Sequence, residues 1–270
     1  MSTKVEELPE ECLLHILFLT SPEDILRSSA VSKQWFSFAI SDDLWKKLVP
    51  SDYDQIIQES SSPLQFNSLK DLFVLLYRSH LLIDQNTKSI SLDKRSRKKC
   101  YMLGSKSLTI AWGDTPQYWS WISVPESRFP ENAKLKHVCW LDIKGAISTK
   151  SLSPNTTYGA YFVFKLTDAN YTGFESVPVK LSISEVDETG RHPIVTHSVY
   201  LKPQEESPEG VPRPAEREDG WMEIEMGTYQ VGVDGDVHEN VLLETSVRQT
   251  EILNWKSGLL MQGIELRPLD

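Results

Sequence analysis

Cysteine is scarce in this sequence, and its placement excludes two classes of protein. The 270 residues include only three cysteines, Cys12, Cys100 and Cys139, which are far apart and never form a C-x-x-C pair. A disulfide framework needs paired cysteines, and a structural zinc site needs closely spaced ligands. The sequence therefore predicts buried, reduced thiols and no metal site.

Positive charge and long apolar runs are also in short supply. Lys and Arg number 28 against 38 Asp and Glu, a net charge of −10. A chain this acidic has no overall positive field for phosphates, so nucleic acid is excluded as a primary ligand. No run approaches the roughly 18 apolar residues that cross a bilayer, and the start, MSTKVEELPEE, is acidic where a secretory signal is basic and then apolar. We expect a protein of the cytoplasm and nucleus, without membrane association.

Catalytic motifs are missing as well. The sequence contains no nucleophile elbow, P-loop, Gly-rich dinucleotide turn or H-E-x-x-H. An enzymatic alternative would use paired carboxylates from Glu223, Glu225 and Glu244 to hydrolyse a sugar. Glu223 and Glu225 alternate with apolar residues, as on the solvent face of a strand. The sequence thus predicts a protein that is not an enzyme and needs no cofactor.

What is present divides into a helical and a strand-rich part. With 40% hydrophobic and 10% aromatic residues the chain folds. Three helix starts, after Pro9, at Ser21-Pro22 and at Ser41, predict a three-helix domain over residues 1–49. A polar stretch and a helix from Asn67 predict a linker and connecting helix over residues 50–83. The basic cluster at 94–99 is either a nuclear import signal or a solvated loop.

After Cys100 the sequence pattern changes from helical spacing to short strand-like runs. Eight runs rich in β-branched and aromatic residues predict strands without intervening helices: LTIAW, HVCWLDI, YGAYFVFKL, VPVKLSI, IVTHSVYL, GWMEIEM, VLLETSV and LLMQGIEL. The Pro-rich stretch 203–220 predicts a long exposed loop. The fold class is therefore α+β multidomain, with an all-β, jelly-roll-like sandwich over residues 84–270.

The first fifty residues resemble the F-box. The resemblance rests on five segments in order: Leu8-Pro9-Glu10-Glu11, Leu13 with Ile16 and Leu17, Ser21 to Leu26, Ala30 to Trp35, and Leu44-Trp45. It implies docking onto the Skp-type adaptor of a cullin-based ubiquitin ligase. The candidate contacts are Leu8, Pro9, Ile16, Leu17, Val31 and Trp35. A domain this small tends to bury its remaining apolar residues against a partner, although each of these residues has the internal core as an alternative.

The second part resembles the phloem protein 2 family, also called Nictaba-related lectins, in its plant F-box form. The segments that carry the resemblance are Lys98 to Leu103, Ile110 to Asp114, Tyr118 to Trp121, Cys139 to Ile143, Asp219 to Glu225 and Gly263 to Pro268. The resemblance implies a sandwich that binds glycans containing N-acetylglucosamine, with the tryptophans at Trp112 and Trp119 and two late acidic residues as sugar contacts.

The chemistry of sugar binding suits these residue types. A pyranose has a C–H face that packs on an aromatic ring and hydroxyl groups that carboxylates accept. Trp112 and Trp119 are expected to form a solvent-facing floor, with core packing as the alternative. Glu244 matches one acidic position; the other falls at Asp236, where an extra residue departs from the family pattern. The remaining tryptophans, Trp121, Trp140, Trp221 and Trp255, are assigned to core or edge packing.

Together these observations predict the substrate receptor of a ubiquitin ligase. The helices would hold the adaptor, and the sandwich would present a glycoprotein or protein target to other subunits. In the alternative, the glycan site is degenerate and the sandwich binds protein targets directly. The departure around Asp236 favours that alternative.

Overall fold

The computed structural model describes residues 8–167, 171–202, 212–232 and 241–269. These residues belong to two compact units that divide between positions 79 and 80. The division lies four positions before the sequence-based boundary at 83/84, so most of the segment expected to be a linker belongs to the first unit.

The described part of the first unit consists of six helices: α1 (Glu10–Leu19), α2 (Pro22–Ser28), α3 (Lys33–Ala39), α4 (Asp42–Leu48), α5 (Tyr53–Glu59) and α6 (Leu69–Arg78). Three of them begin at a serine, Ser21, Ser32 or Ser68, whose side chain accepts a backbone N–H three residues on. These bonds satisfy donors that a helix start leaves without partners.

The sequence predicts three helices up to residue 49, and the structure has four among residues 8–49. The additional helix, α3, has the sequence KQWFSFA, whose aromatic residues and serine have only modest helix propensity. It forms because Ser32 caps it and because Phe38 and Ala39 are buried. Tertiary burial outweighs local propensity here.

Trp45 on α4 organises the core of the first unit. Its side chain is fully buried, and its Nε1 donates to the Ala39 carbonyl at 2.8 Å. Its ring lies 5.2 Å from that of Phe73 on α6. The helix expected to be a connector thus supplies core residues, and α5, within the expected linker, buries Ile56.

The second unit is an antiparallel β-sandwich. Its strands in the described residues are β1 (Leu81–Ile83), β2 (Lys88–Leu92), β3 (Lys99–Gly104), β4 (Thr109–Ile110), β5 (Trp119–Ile122), β6 (Asn132–Leu135), β7 (Leu141–Ser148), β8 (Thr156–Leu166), β9 (Val179–Asp187), β10 (Gly190–Val199), β11 (Ala215–Glu216), β12 (Met222–Val231), β13 (Leu242–Gln249) and β14 (Leu259–Pro268).

Two sheets make the sandwich. One has the order β1-β2-β3-β14-β8-β12-β11, with β5 joined through β6 to β14. The other has the order β10-β9-β13-β7-β4. The predicted fold class, a helical domain followed by an all-β sandwich, is confirmed, and each of the eight predicted runs overlaps a strand. The expected loop 203–220 lies partly outside the described residues and includes β11.

Buried and more exposed residues alternate in the second sheet. Along β7, Leu141, Ile143 and Ile147 are buried while Asp142 and Lys144 are more exposed, which is the period of two expected for a half-buried strand. Short or polar strands carry a weaker signal. In β2, KSISL, the serines Ser89 and Ser91 are themselves buried.

The basic cluster lies where β2 turns into β3. Asp93 fixes the turn, because its carboxylate accepts the backbone N–H groups of Arg95 and Ser96 at 2.9 and 2.7 Å. Lys94 and Arg95 are exposed, whereas Lys99, the first residue of β3, is buried. Part of the cluster therefore has a structural place in the sandwich, and its use in nuclear import stays a prediction.

Charged side chains of the second unit form an arginine–glutamate cluster of Arg128, Arg217, Glu223, Glu265 and Arg267. The Glu265 side chain is 6% exposed and pairs with Arg128 and Arg217, both at 2.7 Å, and with Arg267 at 3.2 Å. Glu223 pairs with Arg217 at 2.7 Å and Arg267 at 2.6 Å. Burial alone would raise the pKa of Glu265, but the arginines outweigh it and lower that pKa to about 2.

Candidate functional site

Trp112 lies at the surface on a turn that follows β4. Its φ of 56° is in the left-handed region, which is uncommon for a bulky residue. The turn is closed by hydrogen bonds from Gly113 N to the Ile110 carbonyl at 3.0 Å and from Thr115 N to the Trp112 carbonyl at 2.9 Å. The Trp112 side chain is 49% exposed, so this turn presents an indole face to solvent.

Trp119, at the start of β5, lies underneath the same turn. It is only 2% exposed, and its Nε1 donates to the Ala111 carbonyl at 3.2 Å. The half-buried Trp121 repeats the arrangement, since its Nε1 donates to the Gly113 carbonyl at 3.2 Å. The expected floor of two solvent-facing tryptophans is not what the structure has. Trp119 packs in the core, as in the alternative interpretation. From there it supports the turn that presents Trp112.

Glu244, the expected acidic residue that lies within the described part of the chain, is not beside Trp112. Glu244, on β13, forms an ion pair with Arg191 and lies opposite Ala146 of β7. The backbone N–H of Ala111 donates to the Asp142 carbonyl. Asp142 is four residues from Ala146 along β7, a distance of about 13 Å at strand spacing. Glu244 instead lines a separate cleft of about 350 Å³ with Lys106, Thr109 and Lys144 among others. Asp236 lies outside the described residues.

Aromatic side chains that the sequence did not single out extend the surface from Trp112. Its ring centroid is 5.6 Å from Tyr118, Tyr118 is 5.9 Å from His137, and His137 is 5.5 Å from Trp255. We call Trp112, Tyr118, His137 and Trp255 the aromatic row. Trp255 is 58% exposed, and Trp140 is also exposed. The expected core or edge packing describes Trp221, which is fully buried, but not these two.

The carboxylates of the enzymatic alternative have environments unlike those of a glycosidase acid. Burial alone would raise the pKa of Glu223, but Arg267 and Arg217 outweigh it and hold that pKa below its usual range. A general acid for glycoside cleavage needs a raised pKa. Glu225 is exposed, and Glu244 is paired with Arg191. None of these groups is arranged as a proton donor next to a second free carboxylate.

The helical unit exposes a set of apolar side chains. Of the residues expected to contact an adaptor, Pro9, Ile16 and Val31 are exposed, and Val31 reaches 71%. Leu8 and Trp35 are half-buried. Leu17 is buried in the core of the unit itself. For this residue the alternative of internal packing applies. Three exposed apolar residues were missed, Leu19, Phe36 and Ile40.

The described residues were compared with the requirements of a metal site and of a membrane-spanning helix, and they meet neither. Among its residues, no group of three or more His, Cys, Asp or Glu side chains could hold a metal ion. In the same residues, no helix has the length and apolar character to cross a membrane.

Two family models match this chain. The one described as Phloem protein 2 matches residues 98–268, and the one described as F-box-like matches residues 5–51. Among curated proteins of Arabidopsis thaliana, F-box protein PP2-B10 is 40% identical over 99% of this chain and 95% of its own length. Putative F-box protein PP2-B12 is 42% identical over 97% of each.

Solved structures give a much weaker likeness. A carbohydrate-binding module from Caldicellulosiruptor saccharolyticus in complex with mannohexaose has a TM-score of 0.35 and 12% identity, over 63% of this chain and 98% of that one. A xylan-binding domain from Paenibacillus barcinonensis has a TM-score of 0.33 and 12% identity, over 62% and 88%. Scores this low say nothing about the ligand of this sandwich.

Proposed function

Because the chain belongs to the phloem protein 2 family and carries an F-box-like domain, we propose that it is the substrate receptor of a Skp-cullin-F-box ubiquitin ligase. The helical unit binds a Skp-type adaptor, and the sandwich binds N-acetylglucosamine-containing glycans on target proteins. Ubiquitin transfer belongs to other subunits, and this chain catalyses nothing. It works in the cytoplasm and nucleus. Neither matching family is an enzyme family.

The exposed apolar side chains of the helical unit support adaptor binding. Ile16, Val31 and Phe36 are 40%, 71% and 51% exposed although they stand in a domain with its own packed core. Exposed apolar side chains on one small domain are candidates for a surface that a partner covers. Leu17 contributes indirectly, because it buries one face of α1 in the core of the unit.

The substitution Val31→Asp tests adaptor binding. We expect it to weaken binding of the full chain to a Skp-type adaptor by at least tenfold, about 1.4 kcal/mol, because the interface would bury an unpaired carboxylate. Calorimetric titration of the two purified proteins measures this. The control is Gln55→Asp, which adds the same charge at an exposed position of α5 outside the F-box-like match and should bind normally. Equal binding by wild type and Val31→Asp would remove Val31 from the interface.

The exposure of Trp112 is the observation that carries the glycan half of the proposal. Trp112 has a left-handed backbone conformation, and the side chains of Trp119 and Trp121 hydrogen-bond to its turn. Exposing an apolar ring in such a conformation costs free energy. A sugar whose C–H face covers that ring gives the arrangement a use. Asp114 and Gln117, exposed on the same turn, supply hydrogen-bonding groups at its rim.

A specific observation favours the second candidate, direct recognition of a protein target. Trp119 is buried, and Glu244 is paired with Arg191. Two of the four residues expected to contact a glycan therefore make their contacts within the protein. Ile252 and Leu253 are exposed next to the Trp255 segment, which gives a protein partner aliphatic surface. Binding of wild-type chain to purified N-acetylglucosamine oligomers separates the candidates, since only the glycan receptor binds them.

A further inference from the structure

We infer that the free edge of β7 is a docking site for an extended, acidic segment of a protein. The site is the cleft of about 350 Å³ that Glu244 lines together with Lys106, Thr109 and Lys144, which we call the β7 cleft. The segment would lie in this cleft and pair with β7 as an additional strand. The inference rests on the receptor role proposed above, because the segment would belong to a target, but it does not rest on glycan binding.

The two edges of β7 are covered to different extents. On one side, β13 pairs with all eight residues of β7. On the other side, β4 has only two residues, which lie opposite Lys144 and Ile143. Among the strands of the described residues, none covers that side from Gly145 to Ser148. A strand edge without a neighbour offers its backbone for further pairing.

Ala146 directs backbone hydrogen-bonding groups into the β7 cleft. Successive residues of an antiparallel strand point their N–H and C=O groups to alternate neighbours. The Asp142 carbonyl accepts the Ala111 N–H at 2.9 Å on the β4 side, so Ala146, four residues on, points to the same side. β4 has ended there, and Ala146 is exposed and lines the cleft. Both backbone groups of Ala146 are therefore placed to bond to an incoming strand.

The other outer strand of the same sheet, β10, is less suited to accept a strand. Pro193 has no N–H group, and the register of β10 shifts between Pro193 and Val195. Both features interrupt strand pairing. The free part of β7 has neither a proline nor a shift of register, so it is the regular edge of this sheet.

Charge indicates the chemistry of the segment. The β7 cleft is lined by three lysines, Lys88, Lys106 and Lys144, and by two acids, Asp84 and Glu244. Both acids are already paired, since Asp84 lies 2.9 Å from the Lys88 ammonium and Glu244 forms the ion pair described above. The acids of the cleft are thus neutralised by bases of the same protein.

Lys106 and Lys144 make the cleft attractive to carboxylates. The Lys106 Nζ lies 3.9 Å from the Trp121 ring centroid and 3.4 Å from a carboxylate oxygen of Glu131, whose side chain is 52% exposed. Lys144 has no ion pair within residues 8–167, 171–202, 212–232 and 241–269. Because the chain has a net charge of −10, an acidic segment is repelled by the molecule as a whole and is matched at this cleft.

Selection from a library of random peptides tests the inference. Peptides displayed on phage are selected on the immobilised full-length chain, and those recovered are synthesised with a fluorophore and titrated by fluorescence anisotropy. We expect the recovered peptides to be richer in Asp and Glu than the library. Lys144→Glu should weaken their binding by about tenfold, because it replaces attraction by repulsion. Ala146→Pro should weaken it about three- to tenfold, because a peptide carbonyl loses its donor.

Lys180→Glu is the matched control for the charge reversal. Lys180 lies on β9, two strands from β7, and its side chain is 50% exposed; this variant should bind the peptides as wild type does. Circular dichroism and urea unfolding establish that each variant is folded. If Ala146→Pro does not fold, a recovered peptide with N-methylated backbone nitrogens replaces it, because such a peptide keeps its charge but cannot donate to the edge of β7 and should bind more weakly.

Three results would overturn the inference. Selection on wild type may yield no enrichment of acidic peptides, or binding may be unchanged by Lys144→Glu. Alternatively, the N-methylated peptide and dextran sulfate may bind as well as the recovered peptide, in which case the cleft attracts any polyanion and adds no strand. Adaptor binding by the same wild-type chain is measured separately. If it binds the adaptor and the docking site fails, the receptor role stands, whereas loss of adaptor binding alone would refute the receptor role and leave the docking site.

Discussion

Replacing Glu265 by alanine is expected to lower the free energy of unfolding of the sandwich by about 3–5 kcal/mol. The carboxylate is almost fully buried on the central strand β14 and pairs with Arg128, Arg217 and Arg267. Its removal leaves three partly buried guanidinium groups with too little negative charge, and the cost of uncompensated buried charge is large. Urea unfolding of the full chain, followed by near-ultraviolet circular dichroism, measures the change.

Glu225→Ala is the matched control for that substitution. Glu225 lies on β12, two residues from Glu223, and is exposed. Its removal should change the free energy of unfolding by no more than about 0.5 kcal/mol. If Glu265→Ala were as stable as Glu225→Ala, the arginine–glutamate cluster would be of no consequence for stability.

Acid should weaken the same cluster. The pKa of Glu265 lies at about 2 in the folded protein against an ordinary 4.5. A carboxylate whose pKa is lower in the folded than in the unfolded state stabilises the fold. This stabilisation is fully present above the unfolded-state pKa and is lost as the pH falls through the folded-state pKa. The stability difference between wild type and Glu265→Ala should therefore hold at neutral pH and shrink between about pH 4.5 and 2.

Trp119→Ala is expected to lower the free energy of unfolding by about 3–5 kcal/mol, whereas Trp112→Ala should change it by no more than about 0.5 kcal/mol. The family resemblance gives both tryptophans one role, but only Trp112 is exposed. Trp119 fills a buried volume and bonds to the Ala111 carbonyl. Thermal and urea unfolding of the two variants measure the contrast.

Trp119→Phe refines this comparison, because it keeps most of the buried ring and removes the N–H group that holds Ala111. It should cost less stability than Trp119→Ala while loosening the Trp112 turn. Equal stability of Trp119→Ala and wild type would show that Trp119 is not a core residue and would restore the two-tryptophan floor.

Patterns that extend over several residues predicted most of the architecture. The runs of β-branched and aromatic residues, and the helix start at Ser21-Pro22, are local signals that tertiary contacts reinforce. The helix α3 and the strand β2 escaped prediction because burial, rather than propensity, makes them regular: Phe38 is buried in one and Ser89 in the other. Composition alone does not show which side chains a fold will cover.

The candidate site was predictable only in part for the same reason. Sequence spacing identified the turn between Trp112 and Trp119 but could not show that Trp119 points inward. Trp255 and His137 lie far from Trp112 in the chain, and the backbone pairing of Val138 with Lys256 brings their segments together. A contact between distant segments leaves no local pattern in the sequence, so Trp255 was expected to be packed at the core or an edge.

The most direct test of a two-surface receptor is a bridging measurement. A Skp-type adaptor is passed over immobilised N-acetylglucosamine oligomer with and without the full-length chain, and the retained adaptor is quantified. We predict retention with wild type, and loss with either Trp112→Ala or Val31→Asp, although Trp112→Ala still binds adaptor in solution and Val31→Asp still binds the oligomer. Absence of retention with wild type, or retention that survives Trp112→Ala, would contradict a receptor that joins a glycan to the ligase.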